Sequence, residues 1–222
     1  MHITLNNLKL INNEIKEIVT KKQLKISPEI IAVSKTFSLD KILPIIESGH
    51  LHFGENKVQE AETKWVNFKK QNTDIKLHMV GKLQSNKAKK AVEIFEYIHS
   101  LDNLKLAKKI SYFEKELNKK TKLFIQVNLG NEQQKSGISL NELDSFYNHC
   151  SRDLSLSIIG LMCLPPTNTN SENYFKILKE ASLKLNIQHL SMGMSSDYIQ
   201  AAVHGSTFLR LGTAIFGERH IS

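Results

Sequence analysis

The 222-residue sequence is poor in cysteine and has no long hydrophobic run. Its two cysteines, Cys150 and Cys163, have no CxxC partners, which excludes a disulfide framework and argues against a structural zinc site. No apolar segment approaches the about 20 residues that span a bilayer. The start of the chain alternates apolar and polar residues, unlike a signal peptide. We therefore expect a cytosolic protein with reduced thiols and no membrane partner.

Arginine is scarce as well. The sequence has 30 basic and 22 acidic residues, a net charge of +8, yet its arginines are Arg152, Arg210 and Arg219. A lysine excess together with abundant Asn and Ile is typical of an AT-rich genome, so the charge supports nucleic-acid binding only weakly. An arginine kept in such a composition indicates a position that needs a guanidinium.

Several common motifs are absent. The sequence has neither a GxGxxG nor a Walker sequence, which argues against dinucleotide and P-loop sites, and it has no GxSxG elbow of a hydrolase. No repeat and no Pro/Gly/Ser-rich linker interrupts the chain. We expect a single domain over residues 1–222, and nothing demands more than a monomer.

What the sequence does contain is a regular alternation of short β-branched runs and amphipathic helical segments. An amphipathic helix over residues 3–24 precedes it. Eight such strands, each followed by a helix, predict an α/β fold: a single (β/α)8 TIM barrel with an extra N-terminal helix. A doubly wound open sheet is the alternative. The predicted strands are 29–34, 50–54, 76–81, 97–100, 122–129, 154–163, 189–192 and 207–211.

In a TIM barrel the functional site lies at the carboxyl ends of the strands. The first strand ends in Lys35, which shares a face with Ile31 and Val33 and so is expected to project into the barrel mouth. Loss of solvation there would lower the lysine pKa and expose a neutral amine that can form a Schiff base with an aldehyde. The alternative is a solvated lysine just beyond a strand.

The last two strands end in small and hydroxyl residues. Ser195 lies in the segment 191–197 after strand seven, and Arg210 shares an inward face with Phe208 on strand eight. Gly212 and Thr213 then open a turn with free backbone N–H groups, at the place where this fold commonly binds phosphate. A simple turn with a helix cap is the alternative for each segment.

Residues at the other strand ends each allow a functional and a structural interpretation. Asn56 after strand two either meets a ligand or caps the next helix. Lys82 and Lys87 after strand three, and Asn128 and Lys135 after strand five, either attract anions to the mouth or are solvated surface groups. His50 and His52 share a strand face, but without a third ligand they are interpreted as core or surface histidines.

The ordered set of these segments resembles the pyridoxal phosphate homeostasis protein family over nearly the whole chain. No single motif is decisive, whereas the order of all of them is highly specific. The matching segments are 32–36, 53–60, 81–87, Asn128 with Glu132, Lys135 and Gly137, 160–162, 190–197, and 204–217. Residues 130–131 differ from the more usual small-residue run, which affects the shape of that loop alone.

The resemblance implies a fold like the N-terminal barrel of alanine racemase, with pyridoxal 5′-phosphate (PLP) held as a Schiff base on Lys35. By motif position it implies that Ser195, Gly212 and Thr213 hold the phosphate. Arg210 would face the pyridine nitrogen, and Asn56 would lie near the edge of the ring. It also implies apo forms of PLP-dependent enzymes as recipients of the cofactor.

These residues favour a carrier or buffer of the cofactor over an enzyme. An arginine at the pyridine nitrogen disfavours protonation of the ring, which makes it a poorer electron sink. Racemisation also needs an acid or base on the second face, which related folds take from an extra domain for which the chain leaves no room. The alternative is a PLP-dependent amino-acid racemase or aldolase, and a nucleic-acid binder is the third hypothesis.

Overall fold

The computed structural model describes residues 2–130, 136–166 and 169–218. Its eight strands are parallel and close into a barrel in the order β1-β2-β3-β4-β5-β6-β7-β8, with β8 paired to β1. The predicted TIM barrel with an extra N-terminal helix is thus confirmed. A doubly wound sheet is excluded because such a sheet has two open edges and a strand order that reverses.

The strands are short and the helices lie between them along the chain. A 3₁₀ turn, Ser85–Lys87, precedes the fourth helix, and a π-helical turn, His149–Asp153, follows the sixth. The strands are β1 Glu29–Val33, β2 His52–Glu55, β3 Lys76–Met79, β4 Tyr97–Leu101, β5 Lys122–Val127, β6 Ile158–Cys163, β7 His189–Ser191 and β8 Phe208–Leu211. The helices are α1 Ile3–Lys21, α2 Leu39–Glu47, α3 Val58–Lys69, α4 Ala88–Ile94, α5 Leu104–Glu116, α6 Leu140–Asn148, α7 Ser171–Lys184, α8 Tyr198–Val203 and α9 Thr213–Phe216.

Alternate residues of each strand point into the barrel or out towards the helices. The inward residues of β1 pack with aromatic and aliphatic side chains from the other strands. Gly160 on β6 leaves room for this packing, since a Cβ there would lie 2.4 Å from Cε1 of Phe124. We call this set the interior cluster; it contains Ile31, Val33, Tyr97, Phe124, Met162 and Phe208.

The larger part of the core lies between the barrel and its helices. Trp65 of α3 is fully buried there, with its ring 5.1 Å from the ring of Phe53 on β2. The extra helix α1 packs against α2, α8 and α9. Asn7 fixes its position by donating from Nδ2 to the carbonyl oxygen of Ile215, 3.0 Å away. The N-terminal helix therefore supports α9, which follows the strand that carries Arg210.

The predicted element boundaries differ from the observed ones mainly at β6. This strand begins at Ile158 instead of residue 154, because the backbone first completes the π-helical turn. Leu154 donates its amide hydrogen to the carbonyl of His149. Among the described residues, no helix combines the length and the apolar character that crossing a bilayer requires.

Candidate functional site

A cavity of about 680 Å³ opens at the carboxyl ends of the strands. Its volume falls within the range of about 300–1,000 Å³ that is usual for small-molecule sites. The cavity contains every position that the sequence analysis assigned to the cofactor. These wall residues are Lys35, Asn56, Ser195, Arg210, Gly212 and Thr213.

Lys35 reaches the cavity because strand alternation continues from Ile31 and Val33, which both belong to the interior cluster. Its side chain is half-buried. The structure thus places the side chain of Lys35 in the barrel mouth, as expected.

A carboxylate network fixes the backbone on both sides of Lys35. Lys64 of α3 donates from Nζ to the carbonyl of Ser34 at 2.9 Å and to Oε1 of Glu55 at 2.9 Å. Thr36 donates its amide hydrogen to Oε1 of Glu60. Thr36 has φ of 69°, a left-handed conformation that costs free energy for a β-branched residue and that this bond offsets. We call Glu55, Glu60 and Lys64 the carboxylate network.

Glu55 is the centre of that network. Besides Lys64, its Oε1 accepts hydrogen bonds from Ser34 Oγ at 2.8 Å and from Trp65 Nε1 at 2.9 Å. Its side chain is fully buried, and burial raises the pKa of Glu55, while Lys64 and these donors counteract part of the rise. The segment that bears Lys35 is therefore held by side chains of β2 and α3.

Asn56 lies at the cavity wall and not at a helix cap. The residue before α3 is Lys57, so the alternative role of Asn56 as an N-cap is wrong. Gly81 fixes its backbone position, since a Cβ on Gly81 would lie 2.3 Å from the carbonyl oxygen of Asn56. The loops after β2 and β3 thus touch through a contact that only glycine permits.

Arg210 is a buried cation whose guanidinium faces the cavity. NH1 donates to Ser191 Oγ at 2.6 Å and NH2 donates to the carbonyl oxygen of Cys163 at 2.9 Å. Burial lowers the pKa of Arg210, and the nearby Cys163 and Asp197 oppose that shift. Among the described residues no carboxylate forms an ion pair with it. The cavity therefore has a localised positive charge at the base of its wall.

One edge of the cavity consists of hydroxyl and amide groups. Ser195 Oγ accepts from the amide of Ala214 at 3.1 Å, which ties the loop after β7 to the turn after β8. Asp197 shapes that loop by accepting the amide hydrogen of Met194 at 2.7 Å. Among the described residues, no acceptor takes the amide hydrogens of Gly212 and Thr213. These donors suit an anion such as a phosphate.

The lysines expected near the mouth do not all meet at the cavity. Lys82 lines it and is exposed, and Asn128 also lies on its wall. Lys87 instead borders two smaller surface hollows. Lys135, and with it Glu132 of the family resemblance, lies outside the described residues.

A set of polar side chains inside the barrel was not predicted from the sequence. Ser191 was grouped with the phosphate loop, but its hydroxyl points to Arg210 and to His99 of β4. His99 in turn contacts His78 of β3, whose Nδ1 lies 2.9 Å from Nε2 of His99. A signal was present, because both histidines occupy inward positions of apolar strands, where burial of an unpaired imidazole would be costly.

His50 and His52 do not form a metal site with their neighbours. Across the described ranges, no group of three or more His, Cys, Asp or Glu side chains has the arrangement that a metal ion needs. His52 instead meets His78, with Nδ1 and Nε2 separated by 2.9 Å.

Comparison with known proteins gives a consistent result. Residues 7–220 match the family described as the alanine racemase N-terminal domain. The chain is 35% identical to the pyridoxal phosphate homeostasis protein of Pasteurella multocida, over 97% of each chain. PipY of Synechococcus elongatus, solved with PLP bound, is 34% identical, with 91% of this chain and 100% of PipY covered and a TM-score of 0.80.

A more distant structure agrees on the fold. Alanine racemase of Clostridium difficile is 15% identical, with a TM-score of 0.73 over 98% of this chain and 58% of the racemase. At that identity the likeness concerns the barrel alone. The sequence identity and the coverage lead to one conclusion: the chain belongs to the pyridoxal phosphate homeostasis protein family, whose barrel is the alanine racemase N-terminal domain.

Proposed function

We propose that this chain binds PLP in the cavity at the carboxyl ends of its strands and takes part in homeostasis of that cofactor. One observation carries the proposal: Lys35, Arg210 and the edge formed by Ser195, Gly212 and Thr213 all line the same cavity. The family supports it, since PipY has been solved with PLP bound.

The residues present fit the chemical groups of PLP. An amine on the half-buried Lys35 matches the aldehyde, and the amide hydrogens of Gly212 and Thr213 match the phosphate. Ser195 adds a hydroxyl, since its Oγ accepts from Ala214 and keeps its own proton to donate. Arg210 offers N–H groups to the ring nitrogen, and Asn56 lies where the edge of the ring would be.

PLP supplies an aldehyde that condenses with amines and a ring that withdraws electrons from the attached carbon. Lys35 Nζ adds to the aldehyde carbon and water is lost, which leaves a Schiff base as the attachment. Arg210 donates to the ring nitrogen and disfavours its protonation, because a pyridinium would place two positive charges in contact. The carboxylate network holds Lys35 in register for the addition.

The cavity suits a holder of the cofactor better than a racemase. Racemisation needs one group to remove a proton and another to return it on the opposite face. Among the described wall residues, the titratable side chains are Lys35, Lys82 and Arg210, and Lys82 is exposed. We therefore infer that this site captures PLP without efficient turnover of amino acids.

The experiment is a titration of the cofactor-free protein with PLP, followed by visible absorption. We expect saturable binding with a band that Lys35→Ala removes and that Lys87→Ala, a control at a lysine outside the cavity, retains. A protein that stays colourless in the presence of excess PLP would overturn the proposal. Steady loss of the α-deuteron from labelled amino acids, far above the rate with free PLP, would instead favour the racemase or aldolase alternative.

We further propose that the chain acts as a single-domain monomer in the cytoplasm and passes PLP to apo forms of PLP-dependent enzymes. Its two thiols, Cys150 and Cys163, are free and buried, and burial raises the pKa of both to about 12, which suits a reducing compartment. Faster activation of an apo-aminotransferase by the loaded protein than by its slow release of PLP would support the transfer. Activation limited by that release would contradict it.

A further inference from the structure

Five polar side chains form a continuous line through the interior of the barrel, starting at Arg210. Ser191 Oγ lies 2.6 Å from Arg210 NH1 and 2.8 Å from His99 Nδ1. His99 Nε2 lies 2.9 Å from His78 Nδ1, and His78 Nε2 lies 2.9 Å from His52 Nδ1. Because β2 begins at His52, the line ends at the opposite end of the barrel from the cavity.

The donor and acceptor properties of these groups fix the direction of each hydrogen bond in this line. A guanidinium can only donate, so Ser191 Oγ accepts from Arg210. The hydroxyl proton of Ser191 then needs an acceptor, and within the described residues that acceptor is His99 Nδ1. His99 must therefore carry its proton on Nε2 and donate it to His78 Nδ1. The same logic places the proton of His78 on Nε2, where it is donated to His52.

Packing holds the two central imidazoles in this orientation. His99 stacks on Phe124 with ring centroids 4.2 Å apart and planes 9° apart. His78 stacks on Tyr97 at 4.2 Å and 7°. Both imidazoles are fully buried, which lowers their pKa well below 6.5, and the charge of Arg210 lowers that of His99 further. Because both rings are neutral and cannot rotate, each has a single tautomer that satisfies all of its hydrogen bonds.

Building on the proposed function, we infer that Ser191 and His99 are positioning residues that hold Arg210 against the cofactor ring, through a one-directional chain of hydrogen bonds that continues to His78 and His52. Arg210 has two partners in the described structure, Ser191 Oγ and the carbonyl of Cys163. Loss of the acceptor at His99 leaves the Ser191 proton unpaired. The hydroxyl then turns, and the guanidinium loses a fixed acceptor on the side away from the cavity.

The first test uses the cofactor-free wild-type protein, so that it decides about the chain even if PLP does not bind. Nitrogen-15 NMR of the imidazoles is recorded at pH 7, with His78→Gln and His99→Gln used to assign the signals. We expect both rings to be neutral and protonated on Nε2. A proton on Nδ1 of either ring, or a charged ring at pH 7, overturns the inference.

The second test follows the visible band and the affinity for PLP in matched variants. His99→Leu removes the acceptor, and His99→Asn restores one, since its Oδ1 can take the place of Nδ1. We expect His99→Leu to shift the band and to weaken binding about fivefold, with His99→Asn close to wild type. His204→Leu is the control, because His204 does not belong to this line of hydrogen bonds, and we expect it to keep the band. Ser191→Ala provides the same test if His99→Leu fails to fold; an unshifted band in either folded variant overturns the inference.

Discussion

At the scale of single residues, one buried charged side chain and one glycine determine the charge and the shape of the cavity. Arg210 is the main electrostatic feature, since it is a buried cation without an ion-pair partner among the described residues. Gly212 is the main steric one. Its φ of −109° is open to any residue, so glycine is not required by the backbone there. Each of these two residues leads to a prediction.

Replacement of Arg210 by Gln tests its place at the ring. Gln keeps an amide donor for Ser191 and removes the positive charge, so protonation of the pyridine nitrogen becomes less costly. We expect a shifted absorption band and faster exchange of the α-deuteron of added amino acids. Spectra and deuterium loss measured by NMR give the answer; wild-type values for both would show that Arg210 does not face the ring.

Replacement of Gly212 by Ala tests the phosphate edge. A Cβ here would meet Val33 at 3.6 Å or more, an ordinary contact, so the variant should fold. It would also crowd an anion on the adjacent amides. We expect affinity for PLP to fall about tenfold, the loss of one to two hydrogen bonds, while pyridoxal, which lacks the phosphate, binds as before. Equal losses for both ligands in equilibrium titrations would contradict this assignment.

At the scale of elements, β2 and α3 hold the loop after β1. Glu55→Gln removes the negative charge that Lys64 faces in the core. We expect the free energy of unfolding to fall by about 3 kcal/mol, the low end for a broken buried pair because Glu60 remains beside Lys64. Glu62→Gln breaks an exposed pair with Lys90 and should change stability by less than about 1 kcal/mol. Urea unfolding compares the two, and equal effects would refute the role of the carboxylate network.

The strands and the six cavity positions could be predicted from the sequence, because alternation along β1 and β8 and the order of strand ends are local patterns. The line from Ser191 to His99 could not, since the two residues are 92 positions apart and meet only through closure of the barrel. The carboxylate network could not be predicted for a similar reason, since it joins side chains of β2 and α3 to the backbone beside Lys35, which the closed fold brings together. The predicted start of β6 at residue 154 was four residues too early, because the backbone after the turn 149–153 still bonds back to it, through the amide of Leu156 and the carbonyl of Cys150.

At the scale of the whole molecule, buried neutral histidines make stability depend on pH. His78 and His99 have folded-state pKa values well below 6.5, so the unfolded chain binds more protons as the pH falls through 6.5. We expect the free energy of unfolding to drop between pH 7 and 5.5, with a slope approaching about 1.4 kcal/mol per pH unit for each of the two below pH 6.5. Glu55 acts in the opposite sense, because its pKa is raised, but it is one carboxyl against six histidines whose pKa is lowered: His50, His52, His78, His99, His189 and His204. Urea unfolding that shows constant or rising stability over this range would contradict the account.

The central claim is that Lys35 holds PLP, and borohydride reduction tests it most directly. Hydride adds to the imine carbon and leaves a stable secondary amine, whose position is read by mass spectrometry of the digested protein. We predict a phosphopyridoxyl group on Lys35 in the wild-type protein and in Lys87→Ala, and none at that position in Lys35→Ala. Labelling of other lysines with Lys35 unmodified would contradict the claim.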